Sequence, residues 1–159
     1  MTRRHKIFAL IVSILIPQLI GLLSGYLTGD NMAAYSELIQ PSFAPPGEIF
    51  GPVWAILYLL MGIASWLVYN KRDQDDSVQD ALFTYALNLF FNFFWSILFF
   101  GLGLRGAAFI EILVLLVIVI MTTIKFYRID KRTLPLMLPY VIWVAFAAVL
   151  NFSVWMLNM

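Results

Sequence analysis

Pro41-Ser42-Phe43-Ala44-Pro45-Pro46-Gly47-Glu48-Ile49-Phe50-Gly51-Pro52-Val53-Trp54 is the stretch whose reading decides the fold. Its four prolines and two glycines restrict the backbone where a polar segment gives way to an apolar one. A proline before a helix or in its first turn costs little, because the N–H it removes has no helical partner there. Downstream the chain is apolar from Ile49 to Tyr69, long enough to cross a bilayer, which takes about 20 residues. The stretch therefore reads as a stiff entry into a membrane helix whose first large side chain is Trp54.

The rest of the sequence repeats that pattern. Of 159 residues, 62% are hydrophobic and only 12% charged, against about 25% charged in soluble domains. Apolar segments at Ile7–Leu27, Ile49–Tyr69, Ala81–Leu102, Ala107–Tyr127 and Leu134–Leu157 predict an all-α integral membrane protein, a five-transmembrane-helix bundle forming one domain over 1–159. The first run is too long for a secretory signal and has no small-residue cleavage site before Tyr26, so it is read as a retained span. The lipid bilayer is thus the first expected partner.

Charge sets the expected orientation. Arg3, Arg4, Lys6, Lys71, Arg72, Lys125, Arg128, Lys131 and Arg132 fall on one side of a five-span chain, and only Arg105 on the other. Basic residues collect on the cytoplasmic side, which predicts the N-terminus in the cytoplasm and the C-terminus outside. A net charge of +1 with no basic stripe excludes nucleic acid as a partner. The absence of cysteine excludes disulfides and thiolate chemistry, and the one histidine, His5, excludes a multi-histidine metal site; no metal is expected.

Polar and aromatic side chains then mark a face on several spans. Trp54, Tyr58, Met61 and Ser65 recur at helical spacing on the second, with Trp66 and Tyr69 as interfacial anchors at its end. On the third, Tyr85, Asn88, Asn92 and Trp95 share a face, and asparagine is poorly tolerated against lipid. Trp143, Ala147 and Asn151 share a face on the fifth, where Trp155 reads as an anchor. Each asparagine alone is explained by interhelical hydrogen bonding; together with the flanking aromatics they predict a lined cavity. Span one is read as kinked at Pro17, and its small residues Gly21 and Gly25 as letting another helix, or a ligand, come close, with helix packing the preferred reading. Glu111 is the one acid well inside a span, and neutrality, pairing with Arg105 and bonding to an asparagine all stay open for it. The long connection Gly29–Gly47, with Tyr35 and Pro45, is expected to cover the cavity as a binding loop. The expected site opens outward beneath that loop, is walled by Trp54 and Trp143, and suits a planar, apolar small molecule.

Three motifs extend this reading. Pro41-Ser42-Phe43-x-Pro45-Pro46 followed by Phe50-Gly51-Pro52-Val53-Trp54, Leu57-Tyr58 and Met61-Gly62 resembles the TspO/MBR family of tryptophan-rich sensory proteins and translocator proteins. Asn88-Leu89-x-x-Asn92-x-x-Trp95-x-x-x-Phe99-Phe100 is similar to its third helix, and Pro139-Tyr140-x-x-Trp143-x-x-Phe146-Ala147-x-x-Leu150-Asn151 to its fifth. The resemblance implies a five-helix protein, commonly a homodimer, in a bacterial cell membrane. It implies a porphyrin ligand, protoporphyrin IX or haem, with no covalently bound cofactor. It also implies that Trp54 and Trp143 match two tryptophans tied to light-dependent porphyrin breakdown, that Tyr35 matches a loop tyrosine, and that Ala147 matches a ligand-facing alanine. The chain departs from the pattern at Ala34, Gln40, Phe43 and Asn88, and Phe152 with no later lysine or arginine leaves the animal sterol motif absent.

Three functions follow as expectations. The first is a tetrapyrrole-binding sensor of porphyrin or oxidative stress. The second is a light- and oxygen-dependent porphyrin-degrading enzyme, in which the bound porphyrin supplies the photochemistry and the protein positions it. The third is a transporter of porphyrins or small lipophiles, ranked last because the chain shows neither an inverted repeat nor a pair of broken helices. No nucleophile, base and orienting group stand together as conventional hydrolysis would need. On this reading the binding residues are Tyr35, Pro45, Trp54, Tyr58, Asn88, Asn92, Trp95, Trp143, Ala147 and Asn151.

Overall fold

A computed structural model describes residues 3–29 and 32–159, and of Arg3 and Met32 the backbone only. Asp30 and Asn31, within the loop expected to cover the cavity, lie outside the described residues. The helices are α1 (Arg3–Thr28), α2 (Met32–Glu37), α3 (Phe50–Tyr69), α4 (Ser77–Ser96), α5 (Arg105–Ile129) and α6 (Leu134–Leu157). All but the short α2 are long and apolar enough to span a membrane. They pack in a ring: α1 against α3, α3 against α6, α6 against α5, α5 against α4, and α4 back against α1.

Each long helix divides its residues between the ring's interior and its flank. Along α5, Ile112, Leu115 and Val119 are buried, whereas Leu113, Val114, Val117 and Ile120 are exposed. Ile110, Ile142, Phe90 and Leu19 are likewise more than half exposed on their own helices. Water would not tolerate so much contiguous apolar surface; lipid does. Pro17 lies inside α1, which continues on both sides of it.

The two ends of the bundle differ as the charge pattern requires. At one end Trp66 Nε1 donates to the Lys6 carbonyl at 3.0 Å, and Lys125 pairs with Asp80 at 2.7 Å. Asp130 closes the turn into α6 there, accepting from the Arg132 backbone N–H at 3.0 Å and from its guanidinium at 2.7 Å. The hydrogen bond from Arg132, before any other influence, holds the Asp130 carboxyl below the ordinary carboxylate range.

The opposite end carries α2, the proline stretch, the α4–α5 turn and the C-terminus. Here α4 continues through a widened π-turn, Ile97–Gly101, in which the Leu102 N–H reaches back to the Ile97 carbonyl at 2.8 Å. The sequence reading carried span three to Leu102 as one regular helix. The extra residue per turn instead lets the adjacent Phe99 and Phe100 both turn inward, 5% and 8% exposed. Gly103, at φ 64°, then reverses the chain in a conformation that side chains with a Cβ rarely adopt.

The segment from α2 to α3 is tied down rather than loose. The Gln40 amide donates to the Tyr35 carbonyl at 2.7 Å, and Asn158 at the end of α6 bonds both backbone groups of Ile39, at 2.9 and 2.8 Å. A 3₁₀ turn, Gly47–Ile49, leads directly into α3.

Candidate functional site

Four aromatic and amide residues from α3, α4 and α6 form a linear polar chain through the bundle, ending at Asn88, whose Nδ2 has no partner among the described residues. The Tyr58 hydroxyl donates to Asn92 Oδ1 at 2.7 Å. Asn92 Nδ2 donates to the Tyr140 hydroxyl at 2.8 Å, which in turn donates to Asn88 Oδ1 at 2.7 Å. Nearer the loop end, Trp95 Nε1 donates to Asn151 Oδ1 at 3.0 Å, and Asn151 Nδ2 donates to the Arg105 carbonyl at 2.9 Å. These bonds satisfy groups that lipid would leave unpaired, and they lock α4 to α3 and α6, and α6 to α5. Asn88 and Asn151 therefore serve the bundle's interior, where they are fully buried, and they do not line the main cavity.

The main cavity, about 400 Å³, lies beside this chain rather than beneath the loop. Its walls come from α1, α3 and α4: Gln18, Gly25 and Thr28, then Trp54 and Tyr58, then Asn92, Trp95 and Phe100. Leu22 and Tyr26, also at its edge, are 69% and 86% exposed, so the cavity opens on the flank of the bundle. That corrects the expectation of an outward mouth under residues 29–47. Between the loop and Phe50 the space is taken up by the Tyr35 ring, 2% exposed, which packs edge-on against Phe50 at 5.4 Å and Phe100 at 6.0 Å. Burial raises the Tyr35 phenol above its ordinary pKa, so the hydroxyl stays protonated.

The two indoles do meet, but not as facing walls. Trp54 stacks on Tyr58 at 5.5 Å and 29°, and Trp143 contacts it edge-on at 6.4 Å and 89°. Edge-on contact at that distance leaves no slot for a flat ring between them. Trp54 faces the cavity with one side and Trp143 with the other. Of the residues expected at the site, Trp54, Tyr58, Asn92 and Trp95 are thus brought together, while Tyr35, Pro45, Trp143 and Ala147 do not line this cavity. Glu111 is 8% exposed, and neither of the two pairings considered for it forms; its oxygens have no hydrogen-bond partner among the described residues.

Of the two readings of Gly21 and Gly25, close approach of a helix or of a ligand, the structure gives a different answer at each. Gly21 is a helix-packing position, since a Cβ there would run into the Tyr58 ring. A Cβ on Gly25 would meet nothing within 4 Å, because the cavity lies against it. The usable signal is the spacing of Gln18, Gly21, Gly25 and Thr28, one helical face of small and polar residues on an otherwise apolar span. Gln18 is held across that face by its bond to the Ala55 carbonyl at 2.8 Å.

The ring of five apolar helices, its buried amide chain and its aromatic flank cavity define an integral membrane protein with a cavity of about 400 Å³ on its flank. Comparison with known proteins then places it: residues 13–156 match the TspO/MBR family, and the chain belongs to that family. It is 39% identical over 154 residues to the tryptophan-rich protein TspO of Archaeoglobus fulgidus, covering 96% of this chain and 99% of that one. It is 34% identical over 126 residues to protein CrtK of Rhodobacter capsulatus, covering 79% of each. It is also 32% identical over 133 residues to the human translocator protein, covering 83% of this chain and 79% of that one.

Proposed function

We propose that the protein binds a planar tetrapyrrole, a porphyrin such as protoporphyrin IX or haem, as a membrane sensor, and that the bound ligand is broken down in light. The observation that carries this reading is the cavity itself. Its volume falls within the range of small-molecule sites, about 300–1,000 Å³. Trp54, Tyr58, Trp95 and Phe100 offer it flat apolar area, and Asn92 and Gln18 offer a few fixed polar groups. A mouth on the lipid-facing flank suits a ligand that partitions into the bilayer. Trp54 would touch the ligand and Trp143 would stand behind it, so an electron taken from the first indole can be replaced from the second.

The test is optical. Titrating the purified protein with protoporphyrin IX in darkness is expected to shift the porphyrin's Soret band to saturation, and light with oxygen is expected to bleach it. Trp54→Phe and Trp143→Phe should bind within about tenfold of wild type, roughly 1.4 kcal/mol, yet lose most of the bleaching. Trp155→Phe, whose ring packs on Phe109 at 6.1 Å and does not line the cavity, should change neither. A Soret band that does not move removes the ligand assignment; wild-type bleaching in the two pocket variants removes the indole chemistry.

We further propose that the basic end of the bundle faces the cytoplasm, on the distribution of nine cations against one. Reporter fusions after Lys6 and after Asn158 should then signal from opposite sides, with Lys6 inside. Signals from the same side for both would contradict it.

A further inference from the structure

A second, smaller cleft of about 230 Å³ lies at the loop end, between α2 and the start of α5. Tyr35 and Leu38 form one side of it, Phe99 to Gly103 the floor, and Arg105 the other side. Arg105 is the only basic residue at this end of the bundle. Its backbone is fixed on both sides, the N–H donating to the Gly103 carbonyl at 3.0 Å and the carbonyl accepting from Asn151 at 2.9 Å. Its guanidinium, by contrast, has no carboxylate and no hydrogen-bond acceptor among the described residues, although Nε is buried. The Tyr35 hydroxyl, on a side chain 2% exposed, is also buried without a partner.

Two unsatisfied donors at one cleft, one of them permanently charged, are unusual in a protein interior. What matches a guanidinium fork is a planar acceptor with two oxygens, which is a carboxylate. The cleft has no room for a large ring system, but it adjoins the main cavity. Phe100 lines both, and Gly101 at the cleft stands 3.5 Å, by the position a Cβ would take, from the Thr28 methyl at the cavity.

We propose that this cleft is a carboxylate-binding subsite, in which Arg105 and the Tyr35 hydroxyl hold the acid group of an amphiphilic ligand. The acid has two possible sources of the same chemistry. One is a propionate arm of a porphyrin seated in the neighbouring cavity, which rests on the function proposed above. The other is the head of a free fatty acid from the bilayer, which does not.

The experiment uses the full chain in phosphatidylcholine nanodiscs, as wild type and as Arg105→Gln. The probes are protoporphyrin IX, its dimethyl ester, dodecanoate and dodecanol. Two readouts are taken: porphyrin affinity from the Soret band, and the ¹⁵Nε–H resonance of Arg105, assigned by its loss in the variant. If the porphyrin supplies the acid, wild type should bind the diacid about tenfold or more tighter than the ester, Arg105→Gln should bind the two alike, and the diacid should move the Arg105 resonance. If a fatty acid supplies it, dodecanoate should move that resonance where dodecanol does not. Movement with dodecanoate while neither porphyrin binds would retain the subsite and defeat the tetrapyrrole function. A resonance that moves with neither acid, together with an unchanged ratio of diacid to ester affinity in Arg105→Gln, overturns the subsite.

Discussion

Gly62→Val is expected to unfold the α1–α3 seam. A Cβ at Gly62 would come within 2.7 Å of both the Ile14 Cα and the Ser13 carbonyl oxygen. These are backbone atoms of the neighbouring helix, so no rotamer change can relieve the contact. The helices must separate, and with them goes the packing around Met61, Ala64 and Ser65, all buried on the same stretch of α3. Overpacking of a well-filled interior costs about 1–3 kcal/mol, occasionally more; a β-branched side chain against backbone belongs at or above the upper end. At roughly 2–4 °C per kcal/mol for a chain of this size, the melting temperature in detergent should fall by about 6 °C or more. Gly25→Ala is the matched control, since its Cβ would meet nothing, and it should melt with the wild type. Equal melting of Gly62→Val and wild type would mean that α1 does not lie against α3 as described.

Gly25→Leu should abolish occupancy of the flank cavity while leaving the fold intact. Position 25 lies at the cavity's edge, and the space beside it is empty. A leucine there would project toward the room bounded by Trp54 and Trp95 without displacing backbone. Its cost to stability should be small, because an exposed helix interior prefers leucine to glycine by roughly 0.5–1 kcal/mol. Porphyrin binding should weaken by about a hundredfold or more, corresponding to roughly 2.8 kcal/mol. The measurement is the dark Soret titration together with the melting temperature of the same preparation. Undiminished binding by a folded Gly25→Leu would place the ligand elsewhere in the bundle, with the interface of Trp143 and Phe146, 5.5 Å apart, as the next location to probe.

These two glycines show how far a linear reading goes. Both are small residues on apolar helices, and nothing in their local sequence separates a glycine that admits a neighbouring backbone from one that borders a cavity. The distinction is made by what the partner helix places opposite. The asparagines behave in the same way. Their helical spacing on α4 correctly marks an inward face, yet whether an inward amide lines a ligand site or satisfies another side chain depends on Tyr140, which α6 brings to within 2.8 Å of Asn92. Only Asn92 does both, bonding Tyr140 and also bordering the cavity.

The sequence by itself determined the membrane class, the five spans and the gathering of basic residues at one end. Those properties come from composition and length, which the bilayer reads residue by residue. The motifs around Pro45, Trp54, Asn92 and Trp143 determined the family. Tertiary structure alone decided where the empty space lies. Tyr35 folds inward onto Phe50 and Phe100, Trp143 turns its edge to Trp54 and closes the gap between the indoles, and α1 stands off where Gly25 borders the main cavity. A cavity is what remains after every side chain has chosen a rotamer against its neighbours, so no single helix carries the information that places it.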